Sequence, residues 1–204
     1  MTELGRTVSF SQMKDGTKED YLLLEELEKP FVDATAERLL AALAAQEDET
    51  LTGYKISRLG HGLQAATRAM DDGADIDWIV SALLHDIGDA LAPYNHDEYA
   101  AAILRPFVRE ECTWVVEHHA AFQAYYYAHH HGGNRHRRDQ FKDTPHYKAC
   151  VDFCERWDQS SFDPAYPTKP LDTFAPMVRE VFARKPNDPS VIRAGEAIGL
   201  PSLT

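Results

Sequence analysis

The segment "SALLHDIGD" (81–89) places an adjacent histidine and aspartate, His85 and Asp86, at the end of an apolar run. The residues before it, "DIDWIV" (75–80), begin with an acid that can cap a helix, and the run is then apolar on nearly every face, as in a central helix. An unpaired carboxylate buried there would cost on the order of several kcal/mol. The pair therefore indicates a metal site, against the simpler alternative of a helix that ends on polar residues.

The rest of the chain has the same helical character. Apolar residues recur with helical spacing, and almost no stretch alternates with period two, so the sequence predicts an all-α fold. We predict one domain over 1–204, with a core of about 31–182 on which an N-terminal segment (1–30) and a tail (183–204) pack. The helices are expected within 15–30, 30–46 (starting at Pro30), 53–74, 75–91, 95–107, 109–130, 146–159 and 171–186.

The composition restricts the class of partner. Thirty-three acidic against 21 basic residues give a net charge of -12, which repels nucleic-acid backbones. No apolar run is long enough for a membrane span, and "MTELGRTVSF" (1–10) lacks the apolar core of a signal peptide. The three cysteines, an odd number, favour a reducing cytoplasm. We therefore expect a cytoplasmic protein that acts on a small molecule, without nucleic acid or membrane.

Histidines and aspartates on separate predicted helices extend the candidate metal site. A helical bundle can project one or two such side chains inward from each helix. Imidazole and carboxylate together suit iron, manganese or zinc, and six ligands are better used by two ions that share a carboxylate than by one. The candidates are His61, His85, Asp86, His96, His119 (or its neighbour His118) and Asp158.

Each of these residues also has a simpler explanation. His61 can be a core histidine with an ordinary hydrogen bond, His96 can cap a helix, and Asp158 can pair with Arg156 or Lys148 at the surface. The run His129–His131 is best explained as a solvated loop.

Taken together, the motifs resemble the HD-domain superfamily, whose members carry a histidine, an adjacent His-Asp pair and a distant aspartate on a helical core. The resemblance is to its oxygenase branch, which contains myo-inositol oxygenase and phosphonate-cleaving enzymes, and it runs from about Gly53 to Phe182. The segments that carry it are "HGLQAATRA" (61–69), "ALLHDIGD" (82–89), "HDEYAAAIL" (96–104), "VVEHHAAF" (115–122) and "RWDQSSFDPAYP" (156–167).

This resemblance implies an HD-type bundle with a mixed-valent Fe(II)/Fe(III) centre in its core. One iron would be held by His61, His85, Asp86 and Asp158. Asp86 would bridge to a second iron held by His96 and His119, with His118 as a packing residue. His85 and Asp86 are then the expected catalytic residues.

The resemblance also implies a reaction, the O2-dependent cleavage of the C–P bond of a 1-hydroxyphosphonate. Asp89 stands where inositol oxygenase has a lysine, which suggests a cationic end on the substrate. Tyr54 and the tyrosines 125–127 can attract a quaternary ammonium group. The expected substrate is (1R)-1-hydroxy-2-(trimethylammonio)ethylphosphonate, which would yield glycine betaine and phosphate.

Other details stay open at this stage. Arg156 matches an arginine of one phosphonate-cleaving enzyme, and Gln123 stands where that enzyme has a lysine, so both are candidate substrate contacts. The loop arginines 135, 137 and 138 are further candidates. A residue that gates the metal would be Tyr54, Glu19 or Tyr21.

Three other functions compete with this one. They are a metal-dependent HD phosphohydrolase, an inositol-oxygenase-like cleavage of a C–C bond in a polyol, and a binding module without catalysis.

Overall fold

A computed structural model describes residues 5–48 and 53–203, and within them it contains helices and no strand. The all-α prediction is therefore confirmed. The helices are α1 (Lys18–Asp33), α2 (Thr35–Ala45), α3 (Arg58–Asp71), α4 (Ile76–Leu84), α5 (His96–Leu104), α6 (Glu110–Tyr127), α7 (Tyr147–Phe153), α8 (Leu171–Phe182) and α9 (Pro189–Ile192), and a π-helical turn (Cys154–Asp158) continues α7.

Helix α4 is the centre of the bundle. Its N-cap is Asp75, whose side chain accepts a hydrogen bond from the Trp78 backbone N–H, and all but its first residue are buried. It packs against α3, α6 and α8. This explains why the sequence is apolar on nearly every face here, since a helix surrounded by other helices has no solvent side.

Helix α4 is shorter than predicted. It ends at Leu84, and His85 and Asp86 lie in the turns that follow rather than in the helix. The physical reason is the close approach of Gly88 to α5, where a Cβ atom would come within 2.8 Å of the His96 carbonyl oxygen. The chain turns there to reach α5.

The prediction that Pro30 starts a second helix is wrong. Pro30 lies inside α1, and α2 begins at Thr35 after a break at Ala34. The proline ring costs α1 one helical hydrogen bond and crowds the preceding turn, but the Pro30 carbonyl still accepts from the Ala34 N–H at 3.1 Å, and the helix ends three residues later.

The C-terminal tail is fixed to the bundle by buried polar groups. The carboxylate of Glu111 on α6 accepts hydrogen bonds from the backbone N–H groups of Ile198 and Gly199. The indole of Trp78 donates to the Gly199 carbonyl at 3.2 Å. The tail thus covers one end of α4 and α6.

None of the helices in the described part of the chain is both long enough and apolar enough to cross a membrane.

Helices α3 and α4 cross so closely that a glycine is required at the contact. A Cβ atom on Gly62 would lie 2.7 Å from the backbone oxygen of Leu83. Gly62 follows His61 and Leu83 precedes His85 by two residues, so this crossing brings the two histidines together.

We therefore predict that Gly62→Ala destabilises the protein by about 1–3 kcal/mol in urea unfolding, because the new methyl group meets backbone. In an ordinary helix, this change would stabilise by about 1 kcal/mol. Gly60→Ala in the same helix is the control, since its Cβ would meet only side-chain atoms, the nearest being Ser57 Oγ at 3.2 Å. A Gly62→Ala variant at least as stable as the wild type would contradict the close crossing.

Candidate metal centre

The structure brings together all six candidate ligands. They come from separate elements: His61 from α3, His85 and Asp86 from the turns after α4, His96 from the start of α5, His119 from α6, and Asp158 from the π-helical turn. His61, His85, His119 and Asp158 are buried, while Asp86 and His96 are partly exposed.

His61, His85 and Asp158 form one side of the cluster. The Nε2 atoms of His61 and His85 lie 3.1 Å apart, and Asp158 Oδ1 lies 3.3 Å from the first and 3.6 Å from the second. Three potential ligand atoms therefore face one small space.

Asp86 stands between this group and a second pair of histidines. Its Oδ2 lies 3.4 Å from His61 Nε2 and 3.5 Å from His85 Nε2. Its Oδ1 lies 3.1 Å from His119 Nε2 and 3.3 Å from His96 Nε2. One carboxylate thus presents one oxygen to each pair.

Backbone carbonyl groups orient three of the histidine rings. The Nδ1 atoms of His61, His85 and His119 lie 2.9, 2.8 and 2.6 Å from the carbonyl oxygens of residues 161, 82 and 116. A neutral ring that donates from Nδ1 has its lone pair at Nε2, and here every Nε2 points into the cluster. The lone pairs of His61 and His85 would then face each other, an arrangement that requires a cation or a proton between them.

The residues present fit a metal centre. Asp158 Oδ2 is buried and has no hydrogen-bond partner in the described part of the chain, although such an oxygen is costly to bury unpaired. Four imidazoles and two carboxylates are the donor set expected for iron, manganese or zinc rather than calcium or magnesium. Three overlapping groups of these residues have ligand atoms close enough to hold an ion: His61–His85–Asp86, His85–His119–Asp158 and Asp86–His96–His119.

The carboxylates raise the pKa values of the three most buried histidines. Burial lowers the pKa of His61, but the hydrogen bond to Asp158 and the charge of Asp86 outweigh it. Burial likewise lowers the pKa of His85, and the charges of Asp86 and Asp158 more than compensate. Asp86 has the same effect on the pKa of His119. Without metal, these rings hold protons more tightly than free imidazole does.

The two carboxyl groups shift in the complementary direction. Burial raises the pKa of Asp86, but the charges of His85 and His119 bring it well below its ordinary value. The pKa of Asp158 is also lowered, mainly because His85 and His61 overcome the effect of burial. Both aspartates are therefore ionised and available as ligands at neutral pH.

A cavity of about 320 Å³ opens onto the cluster. Its wall carries aromatic rings and amides, and the residues that form it besides five of the ligands are Tyr54, Ala120, Gln123, Tyr126, Tyr127, Gln159 and Phe162. Phe162 stacks on His61 with ring centroids 4.4 Å apart, and Tyr54 packs on Phe162 at 5.1 Å. No lysine or arginine belongs to this wall within the described residues.

Two of the four predicted substrate contacts line this cavity and two do not. Gln123 and Tyr54 are in its wall. Arg156 instead binds Asp72 through Nε and Nη2 and the Pro201 carbonyl through Nη1, beside a different cavity of about 620 Å³ at the C-terminal tail. Residues two apart in a helical turn point to opposite sides, so Arg156 cannot follow Asp158 into the site.

Asp89, the other predicted substrate contact, already has partners. Its carboxylate forms an ion pair with Arg58 and lies 3.3 Å from His96 Nδ1, and it is not part of the cavity wall. The expectation that it meets a cationic substrate does not fit this placement.

The structure also distinguishes among the candidate gating residues and the other predicted contacts. Tyr54 lines the cavity, whereas Glu19 and Tyr21 lie on α1, and the Tyr21 hydroxyl bonds to the Met13 carbonyl. His118 stacks on Trp114 at 4.2 Å, away from the cluster. The guanidinium groups of Arg135 and Arg138 lie over the ring of Tyr125, so that tyrosine faces cations and not the cavity.

Sequence reasoning did not identify Gln159 and Phe162 as cavity residues. Both follow Asp158 in the quoted segment "RWDQSSF", so their proximity to a ligand was the available signal. It also missed Arg58, which lies one helical turn before His61 on α3.

Metal binding is expected to release protons. His61, His85 and His119 have pKa values above the ordinary 6.5, and an imidazole must lose its proton to become a ligand. The apparent affinity for metal should therefore fall as the pH drops. Near pH 6.5, each bound ion should release at least about one proton. Calorimetric titration of the metal-free protein with Mn²⁺ in two buffers of different ionisation enthalpy measures this number, and an enthalpy independent of the buffer would contradict it.

Comparison with known proteins adds one distant relative. No family model matches the sequence. A segment is 33% identical over 89 residues to a protein of Leisingera caerulea named [1-hydroxy-2-(trimethylamino)ethyl]phosphonate dioxygenase (glycine-betaine-forming). The match covers 38% of this chain and 45% of the relative, so it spans less than half of either protein. The chain is thus distantly similar to a phosphonate dioxygenase.

Proposed function

We propose that this protein is an oxygenase that uses two iron ions to cleave the C–P bond of a 1-hydroxyphosphonate bearing a trimethylammonium group. The observation that carries the proposal is the position of Asp86, whose two carboxylate oxygens face two separate histidine pairs beneath an aromatic cavity. The name of the distant relative supports the same reaction class.

The six ligands divide naturally between two ions. His61, His85 and Asp158 would hold one, His96 and His119 the other, and Asp86 would contribute an oxygen to each. When bound, an Fe(II)/Fe(III) pair supplies the activation of O2 and the Lewis acidity for the substrate oxygens.

The residues of the cavity wall would orient the substrate. No cationic side chain lines the cavity among the described residues, so an anionic phosphonate group finds its positive partner at the metal end. The amides of Gln123 and Gln159 can donate to its remaining oxygens. The reacting carbon would then lie next to the metal centre.

The aromatic rings of the cavity would receive the cationic group of the substrate. Tyr54, Tyr126, Tyr127 and Phe162 all belong to the cavity wall. A quaternary ammonium group cannot donate a hydrogen bond, but the negative faces of aromatic rings attract it. The wall therefore offers a trimethylammonium group the aromatic faces that attract it.

The reaction has a defined stoichiometry. Cleavage of the hydroxyphosphonate by O2 gives a carboxylate and phosphate, with one oxygen atom of O2 in each product. For the trimethylammonium substrate, the carboxylate is glycine betaine.

The test is to supply the iron-loaded protein with (1R)-1-hydroxy-2-(trimethylammonio)ethylphosphonate and to measure O2 uptake, phosphate and glycine betaine together. We expect equal amounts of the three. His119→Asn should reduce the rate by about 100-fold or more, since loss of a partner that only supports a ligand already costs about 10- to 100-fold, whereas His118→Asn, one position away and outside the cluster, should retain activity. Phosphate release from a phosphate ester without O2 uptake would instead establish a hydrolase, and O2 uptake with a polyol alone would establish a C–C-cleaving oxygenase.

A second prediction concerns the aromatic wall. Tyr127→Leu should raise KM for the trimethylammonium substrate by about 2- to 5-fold, the effect of losing a cation–π contact of about 0.5–1 kcal/mol at a half-exposed ring. A neutral analogue with a tert-butyl group in place of trimethylammonium should be much less affected.

The control is Tyr125→Leu, since Tyr125 is two residues away in the chain but faces Arg135 and Arg138. Equal losses for the charged and neutral substrates in Tyr127→Leu would remove the cation–π argument.

A further inference from the structure

The carboxylate of Asp89 lies between His96 of the metal cluster and Arg58 of helix α3. One oxygen lies 3.3 Å from His96 Nδ1, and the other pairs with the Arg58 guanidinium. All three side chains are largely shielded, with 16–23% of each exposed. Contacts between polar and charged side chains thus link α3 to the start of α5.

His96 lacks the support that the other histidines of the cluster have. His85 and His119 donate to carbonyl oxygens three residues earlier, in the preceding turn. His96 is the first residue of α5, so no helical turn precedes it to offer such a carbonyl. Its Nδ1 is buried and makes no regular hydrogen bond within the described residues, and Asp89 is the acceptor placed against it.

The backbone forces Asp89 into this position. Gly88 is pressed against α5 so closely that a Cβ atom would lie 2.8 Å from the His96 carbonyl oxygen and 2.9 Å from the Tyr99 ring. The next residue, Asp89, is therefore held beside the His96 ring. Arg58 then neutralises the carboxylate and fixes it from the other side.

We infer that Asp89 is a positioning residue, which accepts a hydrogen bond from His96 Nδ1–H and so directs His96 Nε2 toward the Asp86 side of the cluster, and that Arg58 holds Asp89 in place. This rests on the proposed function in that His96 is taken to hold the second ion. A carboxylate behind a ligating histidine fixes its tautomer and strengthens it as a ligand. The role differs from contact with a cationic substrate, for which Asp89 has no free face in the cavity.

The test is a titration of the metal-free full chain with Mn²⁺, in which free Mn²⁺ is followed by its EPR signal. The wild type is expected to bind two ions and to give the spectrum of a coupled pair. Asp89→Asn should weaken the second ion by about 10- to 100-fold and leave the first unchanged, so that a one-ion spectrum appears at two equivalents. Arg58→Gln should produce a smaller shift in the same direction.

Asp97→Asn is the matched control. It removes the same charge from the residue next to His96, but its carboxylate bonds to the Glu98 N–H instead of the His96 ring. It should bind both ions as the wild type does, and circular dichroism of every variant should match the wild type.

The outcomes separate this inference from the proposed reaction. Two-ion binding by Asp89→Asn with wild-type affinity would overturn the positioning role, especially if KM rose only for the cationic substrate. A wild type that binds two ions but consumes no O2 would overturn the reaction, while the effect of Asp89→Asn on the second ion would still support the positioning role. A wild type that binds a single ion would contradict both.

Discussion

The carboxylate of Asp86 is the group on which the rest of the site depends, because its two oxygens face different histidine pairs at 3.1–3.5 Å. A partly exposed aspartate with four imidazoles around it is stable only if positive charge lies between them. In the metal-free chain, the carboxylates raise the pKa values of His61, His85 and His119, so that protons are held there as the source of that charge. Two metal ions would replace those protons and also satisfy the unpartnered oxygen of Asp158.

Several of these side chains lie where a helix begins, ends or changes to a π-helical turn, and the others lie within regular helices. His85 and Asp86 follow the end of α4, His96 begins α5, and Asp158 closes a π-helical turn. At such positions, the regular backbone pattern is interrupted, which leaves side chains free to converge on one point, and π-turns in particular recur at functional sites. The close crossing of α3 and α4 at Gly62 and the close approach of the chain to α5 at Gly88 fix the positions of these breaks relative to one another.

The sequence predicted the all-α class and a metal site at the His-Asp pair, because helical periodicity and such a pair are local signals. The choice of His119 over His118 came from the resemblance to the HD-domain oxygenases. It could not predict where charged side chains next to the ligands would point. Asp89 was expected in the cavity but lies with Arg58 and His96, since the turn at Gly88 determines its direction. Arg156 could have been placed correctly from helix geometry alone, as it is two residues from Asp158 and so lies on the opposite side.

The central claim is that Asp86 joins two metal ions, and the most direct measurement is the anomalous diffraction of a crystal of the iron-loaded protein. The account predicts two iron peaks about 3.5–4 Å apart, on either side of the Asp86 carboxylate. A single peak at His61, His85 and Asp158, with His96 and His119 left without metal, would contradict it.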